Sequence, residues 1–238
     1  MITLGALINK KMFKQIGHSA EPKIIGVTNG VTQLNIDINS LDGISHILID
    51  STIKDFLLNQ HLIPRMNLPE IKGTLLNKAK LTDIMVFSPY MFGIKYVVSE
   101  KFVNCLSELN VSDKEYHLFP ISIKDVVEKY YLFFVPYISN REVNFSKSLL
   151  YPDNEICDDQ KSYFKINSYQ EYCELNERNP MISFEKLTLP SKYKERDIIS
   201  LQGVVNIYFS QELFESMRAN NISSLVIPNR QIILKFDN

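Results

Sequence analysis

Several things are scarce in this chain, and each scarcity removes a class of function. Charge of one sign is the first. Lys and Arg total 26 against 27 Asp and Glu, a formal net charge of -1. A general nucleic-acid binder carries a basic excess or a basic face, so that class is set aside. Cysteine is second. Cys105, Cys157 and Cys173 are odd in number and form no Cys-x-x-Cys pair. They fit reduced thiols in a cytoplasm better than a secreted disulfide framework. Long apolar runs are third. The N-terminal stretch Met1 to Ile8 has no preceding Lys or Arg, and Lys10 and Lys11 follow it, the wrong polarity for a secretory leader. Tyr130 to Tyr137, the most apolar later stretch, is far short of the ~20 residues of a membrane helix. The expectation is a protein that is cytoplasmic and neither exported nor membrane-spanning.

Glycine is also sparse, with eight in 238 residues, and no phosphate-binding Gly-rich loop is present. There is no His-Glu-x-x-His. Gly17-His18-Ser19-Ala20-Glu21 falls one residue short of a nucleophile elbow, because Glu21 stands where a small glycine is required. His18, His46, His61 and His117 are too dispersed to share a helix face as metal ligands. Asp153, Glu155, Asp158 and Asp159 lack the alternate spacing and turn glycine of a calcium loop. No catalytic residue, cofactor site or metal site is assigned.

What is present is enough apolar sequence, 45%, for a large core. Lys23 to Ile38 reads as a hairpin turning at Asn29-Gly30. Ile44 to Ile49 reads as a strand and Ile53 to Gln60 as a short helix closed by Pro64. Ile84 to Phe87 reads as a strand or a helix end, stopped by Ser88-Pro89, and Ile94 to Val98 as a strand. Ser99 then offers a hydroxyl to cap a helix carrying Phe102, Leu106 and Leu109, and Asn110 ends it. Tyr116 to Ile123 and Tyr130 to Tyr137 are strands, Ser139 to Lys165 a polar excursion, Tyr169 to Glu177 a helix, and Leu187 to Pro190 a brief extended piece. Val205 to Phe209, a helix from Ser210 to Asn221, Leu225 to Ile227 and Ile232 to Phe236 complete the chain.

The end of the chain repeats its middle. With Ser210 set on Ser99, an offset of 111, Val98 meets Phe209, Phe102 meets Leu213, Leu106 meets Met217, Asn110 meets Asn221, Val111 meets Ile222 and Ser112 meets Ser223. The expected fold is mixed α/β (α+β), with two related lobes, each a small, mainly antiparallel sheet carrying one or two helices. The division is 1–78 as the hairpin-containing part of the first lobe, 79–140 as the central strand-helix-strand unit, 141–180 as a polar linker with a short helix, and 181–238 as the repeat.

One segment has the composition of a docking surface. From Asp153 to Arg178 there are seven acids against three bases, a balance of −4, with Tyr151, Tyr163, Tyr169 and Tyr172 interleaved. Tyrosine gives contact area at low entropic cost and charge steers encounter. The partner-binding candidates are Asp153, Glu155, Asp158, Asp159, Tyr163, Tyr169, Glu171, Tyr172 and Glu174.

Leu81-Thr82-Asp83-Ile84, Tyr96-Val97-Val98-Ser99-Glu100-Lys101-Phe102, Tyr116-His117-Leu118-Phe119-Pro120-Ile121 and Tyr130-Tyr131-Leu132-Phe133-Phe134 together resemble immunity-protein family eleven of bacterial polymorphic-toxin systems. The resemblance covers roughly 79–138, with an echo at 204–228. It implies a non-enzymatic protein that binds a cognate toxin, encoded adjacently, and occludes its active surface. Two other expectations stand beside it: a motif-poor hydrolase with a dispersed site, and a homodimer paired through the apolar edge Ile232 to Phe236.

Overall fold

The computed structural model describes residues 12–28, 30–41, 45–66, 68–152 and 162–237. In chain order the elements begin with β1 (Phe13–His18), α1 (Pro22–Ile25), β2 (Thr32–Ile36), α2 (Ser45–Leu48), α3 (Ile53–Asn59), β3 (Ile71–Leu75), β4 (Ile84–Ser88) and β5 (Ile94–Ser99). They continue with α4 (Glu100–Glu108), β6 (His117–Ile123), β7 (Tyr130–Phe134), β8 (Tyr137–Ile138) and β9 (Leu149–Pro152). The last are α5 (Tyr169–Arg178), β10 (Ile182–Leu189), β11 (Ile198–Leu201), β12 (Ile207–Ser210), α6 (Gln211–Ala219), β13 (Leu225–Val226) and β14 (Ile233–Phe236).

Six strands close a barrel in the order β2-β3-β6-β7-β5-β4. Going round it, β2 pairs antiparallel with β3, β3 parallel with β6, β6 antiparallel with β7, β7 antiparallel with β5, β5 antiparallel with β4, and β4 parallel with β2. Closure removes the free edges that an open sheet leaves. The other strands form sheets of order β13-β1-β12-β11-β8 and β14-β10-β9. Their pairings run through the same senses: β9 antiparallel to β10, β10 parallel to β14, β13 antiparallel to β1, β1 antiparallel to β12, β12 antiparallel to β11, and β11 parallel to β8. Two breaks separate this second set from a closed barrel. The chain interrupts between β8 and β9, and again between β13 and β14, where Pro228 supplies no N–H for a ladder. Across the second break, buried Gln15 accepts the Ile232 N–H through its Oε1 at 2.9 Å.

The strand register follows from burial on alternate faces. Ile84 faces Val98 and Met85 faces Val97; in the second set Ile198 faces Phe209 and Ile199 faces Tyr208. Met85 and Val97 point into the closed barrel with Leu34, Phe119, Leu132 and Phe134. Ile199 and Tyr208 point into a separate core with Leu150, Leu187, Leu189 and Leu201. Val98 and Phe209 point the other way, into a third core that also holds Phe102, Leu106, Leu213 and Met217 from α4 and α6. The two helices pack on each other there, and the two sheets are joined through them.

Both helices start on the same device. Ser99 Oγ accepts the Phe102 N–H at 3.2 Å and donates to Asp83 Oδ1 at 2.6 Å; Ser210 Oγ accepts the Leu213 N–H at 3.3 Å and donates to Asp197 Oδ1 at 2.6 Å. Both end on asparagine at φ 51°, Asn110 and Asn221, a conformation asparagine tolerates better than other side-chain-bearing residues.

Three expectations from sequence give way. Lys23 to Ile38 is not a hairpin. Pro22 at the first helical position and Gly26 at φ 80° make Pro22–Ile25 a helical turn, and β2 pairs with β3 and β4 instead. The turn residue Asn29 lies outside the described residues. Ser45–Leu48, read as part of a strand, is helical, and its Ile47 and Leu48 plug the closed barrel with Phe56. The polar excursion contains a strand, β9, and the brief piece before Pro190 is the C-terminal half of the eight-residue β10. Met1 to Ile8 and Cys157 fall outside the described residues. Among the described residues, no helix is long and apolar enough to cross a membrane.

Candidate functional site

Of the expected docking residues, Asp153, Glu155, Asp158 and Asp159 lie outside the described residues. Tyr163 donates its hydroxyl to Glu185 Oε2 at 2.7 Å. The other four sit on α5. Glu171 holds the start of that helix. Its carboxylate accepts the Asn167 N–H and the Ser168 hydroxyl, while Ser168 Oγ accepts the Glu171 N–H, a reciprocal cap. Glu174 accepts from Gln170 Nε2 and pairs with Arg178 at 3.9 Å. Tyr172 stacks on Phe145 at 5.1 Å and on Phe184 at 5.9 Å, which fixes the helix to the second core. Tyr169 lies beside Tyr172 and carries the Arg141 guanidinium over its ring at 4.8 Å.

Tyr169 and Tyr172 also face a cleft of about 630 Å³ where the barrel meets the second set of strands. That volume is in the range of ligand sites. One wall comes from Ile53, Tyr90 and Lys95 on the barrel side, with Tyr137 of β8, a strand of the second set, beside them. The other comes from α5, Asn140 and the turn Leu201 to Val205. Tyr90 (62% exposed) and Val205 (80% exposed) stand at its rim. Tyr137 is fixed: Gln60 accepts its N–H and donates to its C=O, at 2.8 and 3.0 Å, and its hydroxyl meets that of Tyr90 at 3.1 Å. Burial holds the Tyr137 phenol well above its ordinary value.

Nothing in the sequence singles out Lys95. The β5–β7 register slips between Ile94 and Tyr96, so Lys95 is the extra residue of a bulge, the device that re-aims a side chain. Gly93, at φ 73°, precedes it, and a Cβ there would lie 2.5 Å from the Phe134 ring. The half-buried ammonium rests over the Tyr137 ring at 4.8 Å. Burial lowers its pKa from 10.5 to about 8. Among the described residues no carboxylate pairs with it. Glu177 lines the same cleft without reaching ion-pair distance.

A scan against known protein-family models finds no match, and no curated protein matches the chain.

A second groove, about 670 Å³, runs along β3, β6 and β7. Its ammonium, Lys129, is already bound to Glu100 at 2.8 Å, and Glu70 accepts from Ser122 at 2.8 Å. The first cleft is the candidate because its cation has no such partner among the described residues. The near-elbow serine has no catalytic company: Ser19 Oγ accepts the Glu21 N–H, and its own N–H bonds Ser224. His18 packs edge-on against Tyr96, and His117 against Phe119. Burial lowers the pKa of both. Among the described residues no group of three His, Cys, Asp or Glu side chains is placed to hold a metal ion.

Proposed function

We propose that this chain is a cytoplasmic immunity protein that binds a cognate toxin and covers its active surface, without catalysis of its own. The observation that carries the reading is the tyrosine-walled cleft with Tyr90 and Val205 at its rim. Tyrosine anchors seated in a preformed concavity are a recurrent feature of tight protein interfaces. The four-segment resemblance to the immunity family falls on β4, β5, α4, β6 and β7, of which β5 contributes Lys95 to the cleft.

We also infer that the chain is a duplication of one barrel unit, whose second copy is completed by β1 from the N-terminal end. All six strand pairings recur in the same sense. Residues 71–84 and 185–198, aligned without a gap, agree at seven of fourteen positions: Lys72/Lys186, Thr74/Thr188, Leu75/Leu189, Lys78/Lys192, Lys80/Lys194, Asp83/Asp197 and Ile84/Ile198. The Ser–helix–Asn units follow at their own offset.

Co-expression with the neighbouring open reading frame tests the reading. The expected result is a stable complex on gel filtration, with cell survival dependent on this chain. A neighbour that is harmless alone and elutes separately overturns it.

A further inference from the structure

We propose that the cleft between the barrel and α5 receives a carboxylate from an acidic side chain of the docked protein, seated between the Lys95 ammonium and the tyrosine walls. The inference rests on the docking reading for the source of that carboxylate and names its chemistry.

Three observations converge on it. A bulge in β5 turns Lys95 into the cleft over the ring of Tyr137, whose backbone N–H and C=O are both bound by the Gln60 side chain. An ammonium taken partly out of water is stabilised fully only by a counter-charge, and the described residues supply none. The burial that lowers the amine's proton affinity is also what strengthens its attraction to an incoming anion. The rest of the cleft selects what the carboxylate is attached to. Tyr169, Tyr172 and Val205 offer apolar and aromatic area. The favoured ligand is therefore a glutamate or aspartate flanked by apolar residues, not a heavily charged anion such as a phosphate. Glu177 on the far wall opposes a second negative charge.

The test needs no toxin. Lysines of the full chain are dimethylated with ¹³C-formaldehyde, and the Lys95 resonance is assigned by its loss in Lys95→Arg. Acetyl-Phe-Glu-Phe-amide is then titrated in, with acetyl-Phe-Gln-Phe-amide as the neutral control and 3-phenylpropionate as a free small carboxylate. The Glu peptide is expected to move the Lys95 resonance saturably and to raise its titration midpoint from about 8. The Gln peptide should bind at least about ten-fold more weakly, a factor worth 1.4 kcal/mol. Unmethylated Lys95→Met should no longer broaden the Glu peptide's own resonances, while unmethylated Lys95→Arg still does. Equal responses to the two peptides, or none at Lys95, overturn the proposal. Tighter binding of 3-phenylpropionate than of the Glu peptide overturns the protein source and makes the cleft a small-molecule site. Each outcome is independent of whether a toxin complex forms, so this inference and the immunity reading fail separately.

Discussion

Replacing Lys95 by methionine should stabilise the protein, because its partly buried ammonium has no counter-charge among the described residues. Burial lowers the Lys95 pKa from 10.5 to about 8. At 1.36 kcal/mol per pKa unit, that displacement is worth about 3 kcal/mol of stability withheld while the amine is charged. Methionine keeps the volume of the stem and loses the contact of the ammonium with the Tyr137 ring, about 0.5–1 kcal/mol. The net gain expected at pH 7 is about 2 kcal/mol, a rise in Tm of about 4–8 °C for a chain of this size. The sign of the pH dependence follows from linkage. Below pH 8 the amine is protonated in both folded and unfolded chains, and the whole penalty is present. Between 8 and 10.5 the unfolded chain binds more protons than the folded one, so wild-type stability rises with pH and the gain of the variant shrinks. By pH 10 the difference should fall below about 1 kcal/mol. Urea unfolding of both proteins at pH 7 and pH 10 measures it. A variant no more stable than wild type at pH 7, or an advantage unchanged at pH 10, would refute the claim that Lys95 is a desolvated cation without a counter-charge.

Ser99→Ala and Ser210→Ala should each cost about 1–2 kcal/mol by urea unfolding, since each hydroxyl caps a helix and binds an aspartate in the same geometry. A cost at one site alone would break the equivalence. Asn110→Gly and Asn221→Gly should be near neutral in thermal melts, and the alanine variants at the same positions about 1 kcal/mol less stable, because both residues sit at φ 51°. Glu115 accepts the N–H groups of Asp197 and Ile198, both at 2.8 Å, and burial raises its pKa against the pull of those bonds. Its charged form is therefore disfavoured by folding as the pH rises past 4.5. Glu115→Gln should gain on wild type between pH 4 and pH 7, whereas Glu115→Ala should lose about 1–3 kcal/mol by stranding two N–H donors; urea titrations at both pH values decide.

Much of the architecture was legible where local chemistry fixes the backbone. The Ser caps, the Asn stops and the apolar stripes of α4 and α6 are short-range signals, and the end of α5 is marked by Asn179-Pro180, whereas its Ser168 cap came only with the structure. The strands β1, β10 and β11 were less visible, because their pattern is completed by distant partners. β1 pairs with β12 and β13, nearly two hundred residues away, and its Phe13-Lys14-Gln15-Ile16 has no strong alternation of its own. The wider repeat was hidden by a change of offset. From Ile71 to Ser88 the aligned segments are 114 residues apart, and from Ile94 onward 111, because Pro89 to Gly93 has only Gly203 and Val204 opposite it. The Lys95 site was illegible for a related reason. An isolated lysine in an apolar run reads as the solvent face of a strand, and only the bulge turns it into the cleft.

The two sheets are tied together by exchange as well as by packing. The strand β7 belongs to the barrel, yet the chain leaving it forms β8 beside β11; β1 belongs to the second set, yet the chain leaving it forms β2 beside β4. Loop contacts cross in both directions. Ser223 Oγ accepts the Asp83 N–H at 2.7 Å, and Glu115 accepts the Asp197 N–H. Asp83 and Asp197 are the same two residues that receive the capping serines, so each helix cap is braced by the other half of the molecule. Neither half can shed a strand without opening the other, which predicts one cooperative transition instead of two. That coupling bears on the cleft. The wall that carries Lys95 and Tyr137 itself spans the exchange, with Tyr137 opening β8 and Lys95 in β5, so their spacing is fixed by the same strands that hold the fold together. A partner's carboxylate would then meet a preformed site, and little of its binding free energy would go into ordering it.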